Sequence, residues 1–111
     1  MIVVIRNPID VFPSFSSLFN CCSHSLVPKE SYQDLEFWKE WVPFATKGLK
    51  NNHKQVIRVS ELIPTFYLRF EDMRTDPVST LIDCFKFILD APSIEGTVVE
   101  KRIKEKCALN T

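Results

Sequence analysis

Ile2, Val3, Val4 and Ile5 stand in an unbroken apolar row that stops at Arg6. A short run of this kind predicts a strand covered on both faces, as in a parallel sheet. Asn7 is a good helix cap, Pro8 suits the first helical position, and Asp10 falls in the first turn, where the helix dipole favours an acid. The pattern predicts a helix from Pro8 to about Phe19, kinked at Pro13. Ser31 is expected to open a second helix, with Asp34 in a capping-box-like position. Leu35, Trp38, Val42, Ala45 and Leu49 then recur at helical spacing, and Phe37, Trp41 and Phe44 widen the stripe. Pro43 predicts an interruption, "NNHKQ" either breaks or exposes the chain, and "VIRVSELI" fits a helix end or a strand, with helix preferred. "TFYLRF", residues 65–70, is β-branched and aromatic and predicts a second strand. "EDMRTD" reads as a loop. Asp76 and Pro77 repeat the cap-then-proline start, for a helix reaching about Leu89 with Leu81, Cys84, Phe85 and Ile88 inward. A last helix is expected from Thr97 to Cys107.

Two strands among four or five helices point to an α/β fold with parallel strands and mostly helical content. A two-stranded parallel sheet makes a poor core by itself. Residues 1–111 are therefore expected to form the later part of one larger α/β domain, since no repeat, low-complexity tract or linker divides them.

Composition narrows the function classes. The chain of 111 residues is 45% hydrophobic, enough for a core, and its 14 basic and 14 acidic residues cancel. Apart from a mild cluster in "EKRIKEK" no block of like charge stands out, which argues against nucleic acid as the main partner. The leading apolar run is too short for a signal-peptide core or a membrane span. Cys21, Cys22, Cys84 and Cys107 read as free thiols of a reducing compartment, and a cytoplasmic location is expected. "CCSH" lacks the ligand spacing of a metal site, so no metal is expected. With only Gly48 and Gly96, neither a Gly-rich phosphate loop nor a dinucleotide fingerprint can be built.

The candidate chemistry lies where the first apolar run ends. The carboxyl ends of strands in open α/β sheets are where ligands bind, and a helix N-terminus there favours anions. Asn7, Asp10 and Ser14 share one helix face by their spacing. One anion along that face can take the Arg6 guanidinium fork together with the Ser14 hydroxyl. On the residues alone a plainer reading stays open: a solvated strand-end charge and a tolerated helical serine. The aromatic stripe of residues 37–44 likewise reads as core packing, with an aromatic ligand box as the alternative.

Two motifs in order resemble the sulfotransferase family. "VVIRNPIDVFPSF" is similar to its strand-loop-helix segment Arg-Asn-Pro-x-Asp-x-x-x-Ser, matched at Arg6, Asn7, Pro8, Asp10 and Ser14; "YLRFEDMRTDP", residues 67–77, is similar to its later strand and Tyr-Glu-Asp-Met loop. The resemblance implies a three-layer fold like that of P-loop nucleotide hydrolases, of which this chain would be a C-terminal portion. It implies transfer of a sulfuryl group from 3′-phosphoadenosine 5′-phosphosulfate (PAPS) to a hydroxyl or amine of a small-molecule or protein acceptor. It further implies that Arg6 and Ser14 hold the donor's 3′-phosphate and that Phe70, at a frequent tyrosine position, packs near the adenine. The family's phosphosulfate loop and catalytic histidine precede the first motif, and an Arg-Lys-Gly segment follows the second. None of these is in residues 1–111, so no catalytic residue is assigned and the chain alone is expected to be inactive. Two rival readings remain: a non-catalytic nucleotide-binding or structural remnant of the same fold, and another mononucleotide-binding α/β protein.

Overall fold

The computed structural model describes residues 1–21 and 29–109. They divide into two compact units: Met1–Arg6 with the residues from Pro64 onward, and Asn7–Ile63.

The first unit is built on two parallel strands, β1 (Ile2–Ile5) and β2 (Phe66–Arg69). They pair in one register, Ile2 beside Phe66 through Ile5 beside Arg69. The expected double cover of β1 is not what the described residues show. Burial alternates along both strands, and Val4 is 65% exposed while Val3 and Ile5 are half-buried. Each strand has one strand neighbour among the described residues, and the helices cover only part of the pair.

Strand β2 passes directly into α3 (Phe70–Thr75), α4 (Pro77–Ile88) follows, and α5 (Val98–Leu109) ends the unit. The helix α3 replaces the loop expected over "EDMRTD". Glu71 and Asp72 in its first turn and Arg74 in its last complement the helix dipole, and Thr75 Oγ1 donates to the Glu71 carbonyl at 2.6 Å. Asp76 then caps α4 as its sequence implies, accepting from the Ser79 N–H at 3.1 Å, with Pro77 at the first position. On α4 Cys84 is buried as expected, but Ile88 is exposed and Phe87 turns inward instead, 5.6 Å from the Phe66 ring. The aromatic pair draws the helix toward β2.

A Schellman turn closes α4. The Ala91 N–H donates to the Lys86 carbonyl at 3.0 Å and the Asp90 N–H to the Phe87 carbonyl at 3.3 Å. Asp90 takes the left-handed position that this turn demands, at φ 49°. The following segment buries Ile94, 2% exposed, and α5 adds Ile103. Thr97 caps α5, accepting from the Glu100 N–H at 3.3 Å, while Glu100 reaches back to the Gly96 N–H at 2.8 Å. This is a capping box shifted by one residue, and Gly96 at φ 75° supplies the backbone turn.

The second unit holds α1 (Pro8–Cys21), a 3-10 turn (Lys29–Gln33) and α2 (Leu35–Ser60). The second long helix opens after Asp34, not at Ser31: Asp34 accepts from the Phe37 N–H at 3.1 Å. It runs unbroken through Pro43 and through "NNHKQ". A proline inside a helix costs roughly 3 kcal/mol, which packing on both sides of it must offset. Trp41 (4% exposed) and Ala45 are buried around Pro43, and the rings of Phe15, Phe19, Phe37 and Phe44 lie 5.2 to 5.8 Å from the Trp41 ring. The core face is thus Phe37–Trp41–Ala45, with Leu35 and Val42 of the expected stripe exposed. The α1 aromatics select that face because they meet Trp41. In α1 the helix also continues past Pro13, whose carbonyl accepts from the hydroxyls of Ser16 and Ser17 at 2.8 and 3.1 Å.

Ile94→Ala should lower unfolding free energy by about 2–5 kcal/mol, because it empties a closed apolar site; urea titration followed by circular dichroism measures this, and a loss typical of surface changes would show the site to be soft. Asp90→Gly should raise stability by up to about 1 kcal/mol, since glycine takes a left-handed backbone without strain; the same titration detects a decrease if the Asp90 side chain matters more than its backbone.

The Glu100 carboxyl is held below the usual carboxylate range, first by its hydrogen bond from Lys104 at 2.6 Å and then by the Gly96 N–H. A folded-state value lowered in this way adds stability that is present above the unfolded value and lost as pH falls through the folded one. Glu100→Gln should therefore flatten the acid limb of the pH–stability profile just below the ordinary carboxylate range. Superimposable limbs would mean that the contact contributes nothing.

Candidate functional site

Arg6 is exposed at the C-terminal end of β1. Carrying the β1–β2 register one step past Ile5 and Arg69 sets Arg6 beside Phe70. The contact follows from that register: the Arg6 guanidinium carbon lies 4.5 Å above the Phe70 ring centre. Phe70 is half-buried and opens α3, where the expected strand would have included it. A cation over an aromatic face is attracted by the ring quadrupole. Among the described residues no carboxylate forms an ion pair with Arg6. A positioned cation with its charge unspent thus stands at the strand end where open α/β sheets bind ligands.

Ser14 lies on α1 in the second unit and is exposed. Asn7 starts that helix as its sequence implies, its side-chain oxygen accepting from the Ile9 N–H at 3.1 Å and its carbonyl from the Asp10 and Val11 N–H groups. Asp10 and Ser14 follow at three and four residues, so the three polar side chains share a face that is exposed at each position. Ser16 and Ser17 return their hydroxyls to the Pro13 carbonyl, whereas the Ser14 hydroxyl makes no hydrogen bond among the described residues. The structure brings Arg6 and Phe70 together; Ser14 stands on the other unit.

The remaining candidates separate clearly. A cleft of about 330 Å³ beside β2 is lined by Tyr67, Arg69, Asp72, Asp76, Ser79 and Asp83 among others. Its three carboxylates oppose an anion, and Arg69 is drawn toward Asp72 at 4.0 Å, so this cleft is unsuited to a phosphate. Cys22 and His24 lie outside the described residues, and His53 is exposed on α2. Burial pushes the Cys84 thiol up, away from the reactive thiolate. Among the described residues no three His, Cys, Asp or Glu side chains form a group fit for a metal ion, and no helix is long and apolar enough to cross a membrane. The aromatic stripe of α2 packs with α1 around a buried Trp41, as core packing requires.

Sequence reasoning placed Arg6 and Phe70 separately and missed their contact. A signal was available: Arg6 follows "VVI" as Phe70 follows "YLR", so two parallel strands paired at equal length end with these residues side by side.

Comparison with known families supplies the wider context for this geometry. A family model for the sulfotransferase domain matches residues 1–108. Comparison with curated proteins and with solved structures gives no match. Nearly the whole chain is spanned by the one model, including the Arg6–Ser14 segment and the β2–α3 segment. The chain belongs to the sulfotransferase family, whose domain performs sulfuryl transfer.

Proposed function

We propose that the protein transfers a sulfuryl group from PAPS to a hydroxyl or amine acceptor, and that this chain carries part of the donor's nucleotide site. In this reading β1 and β2 belong to the central sheet of a three-layer fold like that of P-loop nucleotide hydrolases. The observation that carries it is the Arg6–Phe70 pair: a cation without an ion-pair partner among the described residues, seated on an aromatic ring at a strand end. Arg6 supplies a charge-assisted, two-pronged contact to the 3′-phosphate, and the exposed Ser14 hydroxyl adds a smaller one. Phe70 has one face under Arg6, so its first role is to seat that guanidinium; packing on the adenine is the second.

The chemistry of the class is a displacement at sulfur. The acceptor oxygen or nitrogen forms a bond to sulfur, the bridging oxygen–sulfur bond of the donor breaks, and adenosine 3′,5′-bisphosphate leaves while a base takes the acceptor's proton. His24 and His53 both follow the first motif, and neither is given the role of base. What Arg6 and Ser14 contribute is grip and orientation of the nucleotide, which sets where the reacting sulfur is presented.

Arg6→Ala should weaken adenosine 3′,5′-bisphosphate binding about ten- to a hundredfold, as expected for a lost contact worth roughly 1.5–3 kcal/mol. Ser14→Ala should act in the same direction by less. Adenosine 5′-phosphate, which lacks the 3′-phosphate, should bind all variants nearly equally. Titration calorimetry with both nucleotides reads this, and equal losses for the two would sink the 3′-phosphate assignment.

Phe70→Ala separates the two roles of the ring. If Phe70 acts by seating Arg6, only the bisphosphate loses affinity, and Phe70→Tyr retains it. Loss for both nucleotides in Phe70→Ala would instead make adenine packing its main contribution.

A further inference from the structure

The net charge of zero hides a local imbalance on α2. Residues 41–60 contain no Asp or Glu, yet they carry Lys47, Lys50, Lys54 and Arg58, and the rest of the chain is correspondingly acidic. These four are spaced three, four and four apart on one unbroken helix. At 3.6 residues per turn they fall within about 80° of one another and span about 16 Å of helix axis. All four are exposed, opposite the buried Trp41–Ala45 face. Elsewhere Lys39, Lys86 and Lys104 are each bonded to an acid three or four residues away. Among the described residues none of the four on this stripe has an ion-pair partner.

Apolar side chains border the stripe. Phe44 (62% exposed) lies on one flank by the helical wheel, Ile57 (55%) on the other, and Leu62 (83%) just past the helix end. Such a border decides between polyanions. A nucleic acid or an acidic polysaccharide neutralises the cations and leaves Phe44, Ile57 and Leu62 in water. A membrane surface accepts both: anionic headgroups meet the cations, and the apolar border enters the headgroup–acyl boundary.

From this arrangement we infer that the Lys47–Arg58 face of α2 is a peripheral docking surface for anionic phospholipid membranes. The helix lies in the interface plane with its buried face toward its own unit. The inference does not depend on the sulfotransferase reading, because neither Arg6 nor Ser14 takes part.

The test is sedimentation of the full chain with phosphatidylcholine vesicles that contain or lack phosphatidylserine. Binding should require phosphatidylserine and fall as salt rises. Near an anionic surface each cation contributes about fivefold, so Lys50→Gln with Lys54→Gln should weaken partitioning about twenty-fivefold. Lys101→Gln with Arg102→Gln, on α5, should leave it unchanged, which separates this face from general charge attraction. Ile57→Ser with Leu62→Ser should weaken vesicle binding while leaving binding of heparin and of a single-stranded oligonucleotide as it was. Circular dichroism confirms the fold of each variant. Equal binding to both vesicle types overturns the inference, as does wild-type partitioning by the Lys50/Lys54 double variant. Unchanged vesicle binding in the Ile57/Leu62 double variant also overturns it, in favour of a soluble polyanion.

Discussion

The candidate site depends on one constraint, the parallel register of β1 against β2. It brings two segments more than sixty residues apart in the chain to end side by side, with Arg6 at one strand end and Phe70 at the other. A slip of one residue would send each side chain to the opposite face. Arg6 would then lose the ring beneath it. The cation–π contact is a modest interaction in itself. It matters because it gives a long, rotamer-rich side chain one place to be, and a side chain ordered in advance costs less to order on binding.

Around that register the first unit is held by short-range devices. The Asp76 cap and Pro77 set the start of α4, the Phe66–Phe87 contact brings it onto β2, and the turn at Asp90 delivers Ile94 to the interior. The second unit works differently. Its α1 and α2 each carry an internal proline, and both continue because aromatic packing around Trp41 outweighs a missing backbone donor. Local rules that mark proline as a break therefore misjudged α2, where Trp41 and Ala45 straddle Pro43 and are both buried.

Charge on α2 shows a related limit of reading along a line. Lys47, Lys50, Lys54 and Arg58 never stand next to one another, so a scan for runs passes over them and stops at "EKRIKEK". Only the unbroken helix stacks them into one stripe, while the α5 cluster spreads around its axis and offsets Lys104 against Glu100. The same folding event that buries Trp41 on one side of α2 concentrates charge on the other.

Arg6 and Ser14 stand out by their spacing and Phe70 only through the family resemblance; what the sequence by itself determined within a few neighbouring residues are both strands and the helix starts at Asn7–Pro8 and Asp76–Pro77. Those rest on capping, proline geometry and hydrophobic period, which act over one or two turns. Tertiary structure alone decided the rest. It chose which face of α2 is buried, turned Phe87 inward in place of Ile88 and seated Arg6 on Phe70. Each of these depends on a partner distant in sequence, and the free energy of burying an aromatic ring exceeds the small local preferences that point the other way.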